Sequence, residues 1–233
     1  MTNRIALPAP SVERTILDRL LPLGLAGLDQ LRLMDVPFVP GVRLHLAQDP
    51  IVLRARLEAE AGQPVPPPFW ADAWVGGQAV ARYLMEHPEE VAGRRVLDVA
   101  AGSGLLAVAA AKAGAASVTA NDIDPYALAA ISLNARVNDV VVTVISGELL
   151  GGHGGDAEVV LAGDVFYNRA MADRMLRFLE RAAARGASVL VGDPGRAYVP
   201  HDRLTPVASY RAATFGAPED AEIDEAHVYR LRT

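Results

Sequence analysis

The chain has no cysteine among its 233 residues, which excludes disulfides and thiolate metal sites. Its histidines, His45, His87, His153, His201 and His227, fall at no spacing that makes a ligand set, so no metal is expected. Lysine is almost missing as well: Lys112 stands alone among 22 basic residues, which a bias in codon usage explains most simply. The formal charge is -6, and no basic run is concentrated enough to grip phosphates, which argues against a nucleic-acid partner. Long apolar runs are also lacking. The longest uncharged stretch, Val99 to Ala111, has about thirteen residues, short of the ~20 that a membrane-spanning helix needs. Arg4, Glu13, Arg14 and Asp18 interrupt the first apolar segment, so it does not read as a secretory leader. The expectation is a cytoplasmic protein with no membrane partner.

What is present is a chain with 51% hydrophobic residues, long enough for one domain with a full core. Val12, Ile16 and Leu20 recur every four residues and predict a short helix over Ser11 to Leu21, capped by Ser11. Val42, Leu44 and Leu46 alternate with Arg43 and His45, a strand pattern. Asp49-Pro50 opens a helix with Leu53 and Leu57 on one face and Gly62 as its stop. Residues 1–65, closed by the prolines from Pro64 to Pro68, read as an N-terminal extension too small for its own core, lying over a domain at 66–233. From Arg95 strands at 95–99, 117–121, 141–145, 158–163 and 187–192 alternate with helices at 104–113, 125–137 and 169–184. That rhythm predicts an α/β fold, a doubly wound, mostly parallel sheet. Two further strand-like runs, 208–214 and 227–231, flank the acidic loop 218–225.

The segment Val96-Leu97-Asp98-Val99-Ala100-Ala101-Gly102-Ser103-Gly104 joins an apolar strand to a glycine turn and then a helix. Glycines let the backbone approach a ligand, and the helix start offers unpaired N–H groups. Asp122 ends the next strand, where an acid can accept hydrogen bonds from ribose hydroxyls. Ile123 offers an apolar face for a purine, and Asp124-Pro125 caps the following helix. This pattern suits dinucleotide enzymes and methyltransferases alike. Asp98 separates them, since an acid there repels a pyrophosphate but tolerates a sulfonium.

On Asp98, Gly102, Gly104 and Asp122 the chain resembles the class I S-adenosyl-L-methionine-dependent methyltransferases, departing at Ala100, where that family usually has glycine. The resemblance implies a Rossmann-like, seven-stranded sheet ending in an antiparallel hairpin, and S-adenosyl-L-methionine as cofactor.

The strand 158–163 runs into Asp164-Val165-Phe166-Tyr167, at the point of such a sheet beside the cofactor's reactive end. A carboxylate there suits a cationic amine, and Tyr167 adds an acceptor or a π face. The structural alternative is that Asp164 caps the helix starting near Arg169 while Tyr167 fills the core. Together with Pro68-Phe69-Trp70-Ala71-Asp72-Ala73-Trp74-Val75-Gly76-Gly77-Gln78, this motif resembles the seven-β-strand protein-lysine methyltransferases, above all the group acting on the β subunit of electron-transfer flavoprotein. The resemblance implies methyl transfer to a lysine of that subunit, with Asp164 and Tyr167 catalytic. Trp70 and Trp74, one helical turn apart, would wall the transfer pocket or fill the core. Gly76-Gly77 would let the backbone approach the cofactor, whose carboxylate Gln78 would bind. Gly151-Gly152-His153-Gly154-Gly155 lacks a following helix and reads as a surface loop. Two other functions stay open: a methyltransferase for small-molecule N or O atoms, and a cofactor-binding module without catalysis.

Overall fold

The computed structural model describes residues 30–36, 38–212 and 224–232. The helix expected at 11–21 lies outside the described residues, as does most of the acidic loop at 218–225. Two strands, β1 (Leu31–Asp35) and β2 (Arg43–Ala47), pair antiparallel. They are followed by α1 (Pro50–Ala61), whose cap Asp49 accepts the N–H groups of Ile51 and Val52, and which ends at Gly62 in the left-handed conformation. Leu53 and Leu57 are its buried side chains, as the spacing predicts. A single 3₁₀ turn, Phe69–Ala71, leads into α2 (Val75–Glu86).

The alternating core follows: β3 (Arg95–Val99), α3 (Leu105–Lys112), β4 (Ser117–Asp122), α4 (Pro125–Val137), β5 (Thr143–Ser146), β6 (Val159–Gly163), α5 (Arg169–Ala184), β7 (Ser188–Asp193), β8 (Leu204–Ala212) and β9 (Asp224–Leu231). The sheet order is β5-β4-β3-β6-β7-β9-β8, seven strands. Pairs from β5 to β7 are parallel, and β9 is antiparallel to both its neighbours. This is the doubly wound sheet with a terminal hairpin that the sequence predicts, with longer hairpin strands than expected because β8 and β9 pair from Leu204 with Leu231 outward to Ala212 with Asp224. The strand order reverses at β3, which has β4 on one side and β6 on the other, and ligands of such folds bind at the strand carboxyl ends at that switch point.

Helices cover both faces. One face carries α2, α3 and α4 over a core that includes Leu84, Leu106, Val108 and Ile131; the other carries α5, with Met175, Phe178 and Leu179 fully buried. Val42, just before β2, and Leu44 and Leu46 of β2 belong to the first of these cores. Their free backbone edge is satisfied by side chains of α4. Asn134 Oδ1 accepts the His45 N–H at 2.7 Å, and Asn138 pairs with both the N–H and the carbonyl of Arg43. A second contact comes from α1, where Leu53 and Leu57 pack in one cluster with Trp70, Ala127 and Ala130. No helix of the described residues is long and apolar enough to cross a membrane.

Candidate active site

A cavity of about 860 Å³ opens over the carboxyl ends of β3, β4 and β6, within the range of small-molecule sites. Its floor at one end is the turn after β3. Ala100 (φ 55°) and Gly102 (φ 53°) are both left-handed there, which explains why glycine suits position 100 and why Ala100 is strained. The turn is pinned from β4: Ala101 donates to the Asn121 carbonyl at 2.9 Å, and Gly102 donates to Asp122 Oδ2 at 2.9 Å. Asp122 Oδ1 accepts the N–H groups of Ile123 and Asp124, at 2.7 and 3.0 Å. Its carboxylate is therefore fixed at the cavity wall with acceptor capacity left for a diol. Ile123 beside it is 71% exposed, an apolar surface waiting for a planar partner. Asp124 caps α4 through the Tyr126 N–H at 2.8 Å, as the sequence predicts.

Five residues of the sequence reading sit elsewhere. Asp98 lies beneath the turn, only 1% exposed, where its carboxylate accepts the Ala107 N–H of α3 at 3.0 Å. Burial pushes its pKa up to about 8, so it is largely uncharged at neutral pH and does not discriminate cofactors by its charge. Gly104 caps α3 and touches α4: a Cβ on it would come within 3.2 Å of Ile131. Gln78 is buried, and its amide donates to the Ala73 carbonyl at 2.6 Å, which occupies it in holding the start of α2. Gly76 and Gly77 approach the sheet. A Cβ on Gly76 would lie 2.5 Å from the Gly192 carbonyl oxygen, and the Cα of Gly77 lies 2.9 Å from the Cβ position of Gly163.

Trp70 and Trp74 are not on one helix. Asp72 (φ −134°, ψ 159°) and Trp74 (φ −64°, ψ 145°) are extended, so the chain breaks between the 3₁₀ turn and α2. Both rings still line the cavity. Trp70 is buried and stacks on Tyr126 at 5.8 Å and 12°, whereas Trp74 is partly exposed and donates its Nε1–H to the Phe69 carbonyl at 2.8 Å.

The other end of the cavity is built where β6 and β7 stop. Asp164 is left-handed (φ 58°), and this turns its carboxylate onto the first turn of α2, where Oδ2 accepts the Gly77 N–H at 2.7 Å. Oδ1 accepts a hydrogen bond from Arg196 Nη1 at 2.8 Å. The same Nη1 donates to Asp193 Oδ2 at 3.0 Å, and Asp193 Oδ1 takes the N–H groups of Gly195 and Arg196. Burial pushes the Asp164 carboxyl up from its ordinary value, and the Arg196 guanidinium pulls it back. The cap of α5 is Asn168, through the Met171 N–H at 2.9 Å, so Asp164 is no helix cap. Phe166 fills the core instead of Tyr167, which is 51% exposed with its ring 6.3 Å from that of Phe69. Phe69 in turn meets Trp74 edge-on at 5.8 Å, so three aromatic rings line one side of the opening.

Arg196 and Asp193 escape the sequence reading, and Phe69 stands in its quoted motif without a role. Asp193-Pro194-Gly195-Arg196 is a turn sequence after a strand, and only the pairing of β6 with β7 puts it beside Asp164. The Gly151 to Gly155 loop is held from α5, since Arg181 and Arg185 donate to the carbonyls of Gly152 and His153.

The chain is similar to known methyltransferases. Residues 83–188 match the model of the family described as ribosomal protein L11 methyltransferase (PrmA). The electron transfer flavoprotein beta subunit lysine methyltransferase of Danio rerio is 40% identical over 161 residues, 68% of this chain and 62% of that protein. Its counterpart in Xenopus laevis is 38% identical over 168 residues, 70% of this chain and 68% of that protein. The chain thus spans less than two thirds of the Danio rerio relative. Among solved structures, a putative RNA methyltransferase from Pyrococcus horikoshii superposes with a TM-score of 0.54 at 14% identity, over 72% of this chain and 89% of that one, a likeness of fold.

Proposed function

Because the chain belongs to the family of electron transfer flavoprotein beta subunit lysine methyltransferases, we propose that it transfers methyl groups from S-adenosyl-L-methionine to a lysine of that flavoprotein subunit. The observation that carries the reading is one cavity with two unlike ends, a carboxylate beside an exposed apolar side chain at Asp122 and Ile123, and a carboxylate under an aromatic rim at Asp164. The residues present fit the cofactor. Asp122 would hold the ribose, Ile123 and the apolar wall at Leu57 and Val65 would enclose the adenine, and the left-handed Ala100 and Gly102 keep the turn clear of it.

When bound, the cofactor supplies an activated methyl group on a cationic sulfonium. The chain's own residues bring the nucleophile. A lysine amine has an ordinary pKa near 10.4, so it must give up a proton to solvent at the cavity mouth before it attacks. Asp164 would orient the ammonium and then the amine by a charge-assisted hydrogen bond. Tyr167, Phe69 and Trp74 would exclude water around it and present π faces to a methylated product. Gly77 contributes from behind, because its N–H holds one Asp164 oxygen.

The test is mass spectrometry of the flavoprotein β subunit after incubation with enzyme and S-adenosyl-L-methionine. Added methyl masses on lysine are expected. Labelling of a different protein in a lysate, with the subunit untouched, would reject the substrate and spare the chemistry.

A further inference from the structure

Arg196 joins two buried carboxylates from neighbouring strand ends through one nitrogen. Nη1 donates to Asp164 Oδ1 at 2.8 Å and to Asp193 Oδ2 at 3.0 Å, while the Asp164 and Asp193 side chains are only 7% and 0% exposed. The turn that delivers the arginine is itself fixed. Asp193 Oδ1 accepts the N–H groups of Gly195 and Arg196 at 2.9 and 2.8 Å, so the carboxylate that binds the guanidinium also shapes its backbone. A buried carboxylate without a cation takes up a proton or turns to find another donor. Asp164 has the Gly77 N–H on one oxygen and the Arg196 guanidinium on the other.

We propose that Arg196 is a positioning residue for methyl transfer: its guanidinium fixes the Asp164 carboxylate at the cavity wall, and with Asp193 leaves the transfer end with one net negative charge. The inference rests on the methyltransferase reading and deepens it. Two carboxylates and one guanidinium sum to -1 when both acids are ionised, a field that accepts an ammonium and disfavours an acidic or neutral nucleophile. Without the guanidinium, burial would push the Asp164 carboxyl further up. Arg196 lines the cavity and is 27% exposed, so its other N–H groups are open to a substrate backbone carbonyl at the same place.

The experiment compares wild type with Arg196→Ala and Arg196→Lys, using the flavoprotein β subunit as substrate and calorimetry with S-adenosylhomocysteine as the measure of the cofactor end. Turnover of Arg196→Ala is expected to fall at least tenfold, with S-adenosylhomocysteine affinity within about twofold of wild type. Millimolar guanidinium chloride should restore part of that turnover where sodium chloride at equal ionic strength does not. Arg196→Lys, which folds under a milder change, should fall between the two. Unchanged turnover, or turnover lost in step with cofactor affinity and melting temperature and not rescued by guanidinium, overturns the proposal and leaves Arg196 a brace of the β7 turn. No methyl transfer to the flavoprotein subunit by the wild type rejects the proposed substrate and this inference together, whereas wild-type transfer with indifferent variants rejects the inference alone.

Discussion

The backbone of Gly76 rests directly on that of Gly192: a Cβ on Gly192 would fall 1.9 Å from the Gly76 carbonyl oxygen and 2.6 Å from its carbon. This contact presses the start of α2 onto β7, and the adjoining Gly77 N–H thereby reaches Asp164. Neither partner is a flexible side-chain end, so the clash cannot be relieved by rotation. Gly192→Ala is expected to lower unfolding stability by about 3 kcal/mol or more, the upper end for overpacking. Gly151→Ala, with nothing within 4 Å and ordinary φ, should stay within about 0.5 kcal/mol of wild type in the same urea titration. Equal effects of the two would show that the contact is looser than described.

Ala100 stands left-handed at φ 55°. A left-handed alanine costs about 1–2 kcal/mol, and glycine gives back about 0.5–1 kcal/mol through the freedom of the unfolded chain. Ala100→Gly is therefore expected to raise the urea midpoint modestly without loss of S-adenosylhomocysteine affinity. A lowered midpoint would mean that the methyl group makes packing contacts worth more than the strain.

The sites differ in how far local sequence specifies them. The cap Asp49, Pro50 and the Gly62 stop define α1 within thirteen or so residues, and Asp122 stands at a strand end, so both are legible. The Asp164 to Arg196 pair spans two strands and a helix, and no local pattern marks it. Helix α2 is hidden for a related reason. Gly76 and Gly77 are poor helix formers, retained because only glycine lets the helix lie on β6 and β7. The pairing of β1 with β2 is equally silent, since Leu31 to Asp35 lacks a buried alternation of its own.

Asp98 makes stability depend on pH. Its folded pKa, about 8, lies above the ordinary 3.8, so the folded state holds a proton that the unfolded state releases between these values. Its contribution to stability is complete below pH 4 or so and is lost as pH rises toward about 8. Asp72, Asp124 and Asp164, also raised by burial, push in the same direction. Asp98→Asn should flatten the fall between pH 5 and pH 8.5 in urea titrations of the ligand-free protein. A variant with the wild-type slope would show that Asp98 is ionised in the fold.

Asp122 and Asp164 should separate binding from transfer. Asp122→Ala is expected to weaken S-adenosylhomocysteine by about 1–3 kcal/mol, the scale of hydrogen bonds to a charged group. Asp164→Asn is expected to leave that affinity nearly intact while turnover falls tenfold or more, about 1.4 kcal/mol in the barrier. Calorimetry and a transfer assay on both variants check this. The reverse pattern would exchange their roles.

The N-terminal strands reach the glycine turn through one side chain. Asn134 is fully buried on α4; its Oδ1 accepts the His45 N–H at 2.7 Å, and its Nδ2 donates to the Ser103 carbonyl at 2.8 Å, between Gly102 and Gly104. Asn138, one helical turn on, binds Arg43 of the same strand and the Asn134 carbonyl but not the turn. The two asparagines therefore share the task of holding β2, and only Asn134 also fixes the backbone under the cavity. Asn134→Asp keeps the acceptor for His45 and replaces the donor to Ser103 by an oxygen that repels that carbonyl. It is expected to weaken S-adenosylhomocysteine about tenfold, or about 1.4 kcal/mol. Asn138→Ala should lower the melting temperature with little change in affinity. Calorimetry below the transition of each variant decides the matter: if both lose affinity in proportion to stability, Asn134 acts only as a structural clip for β2.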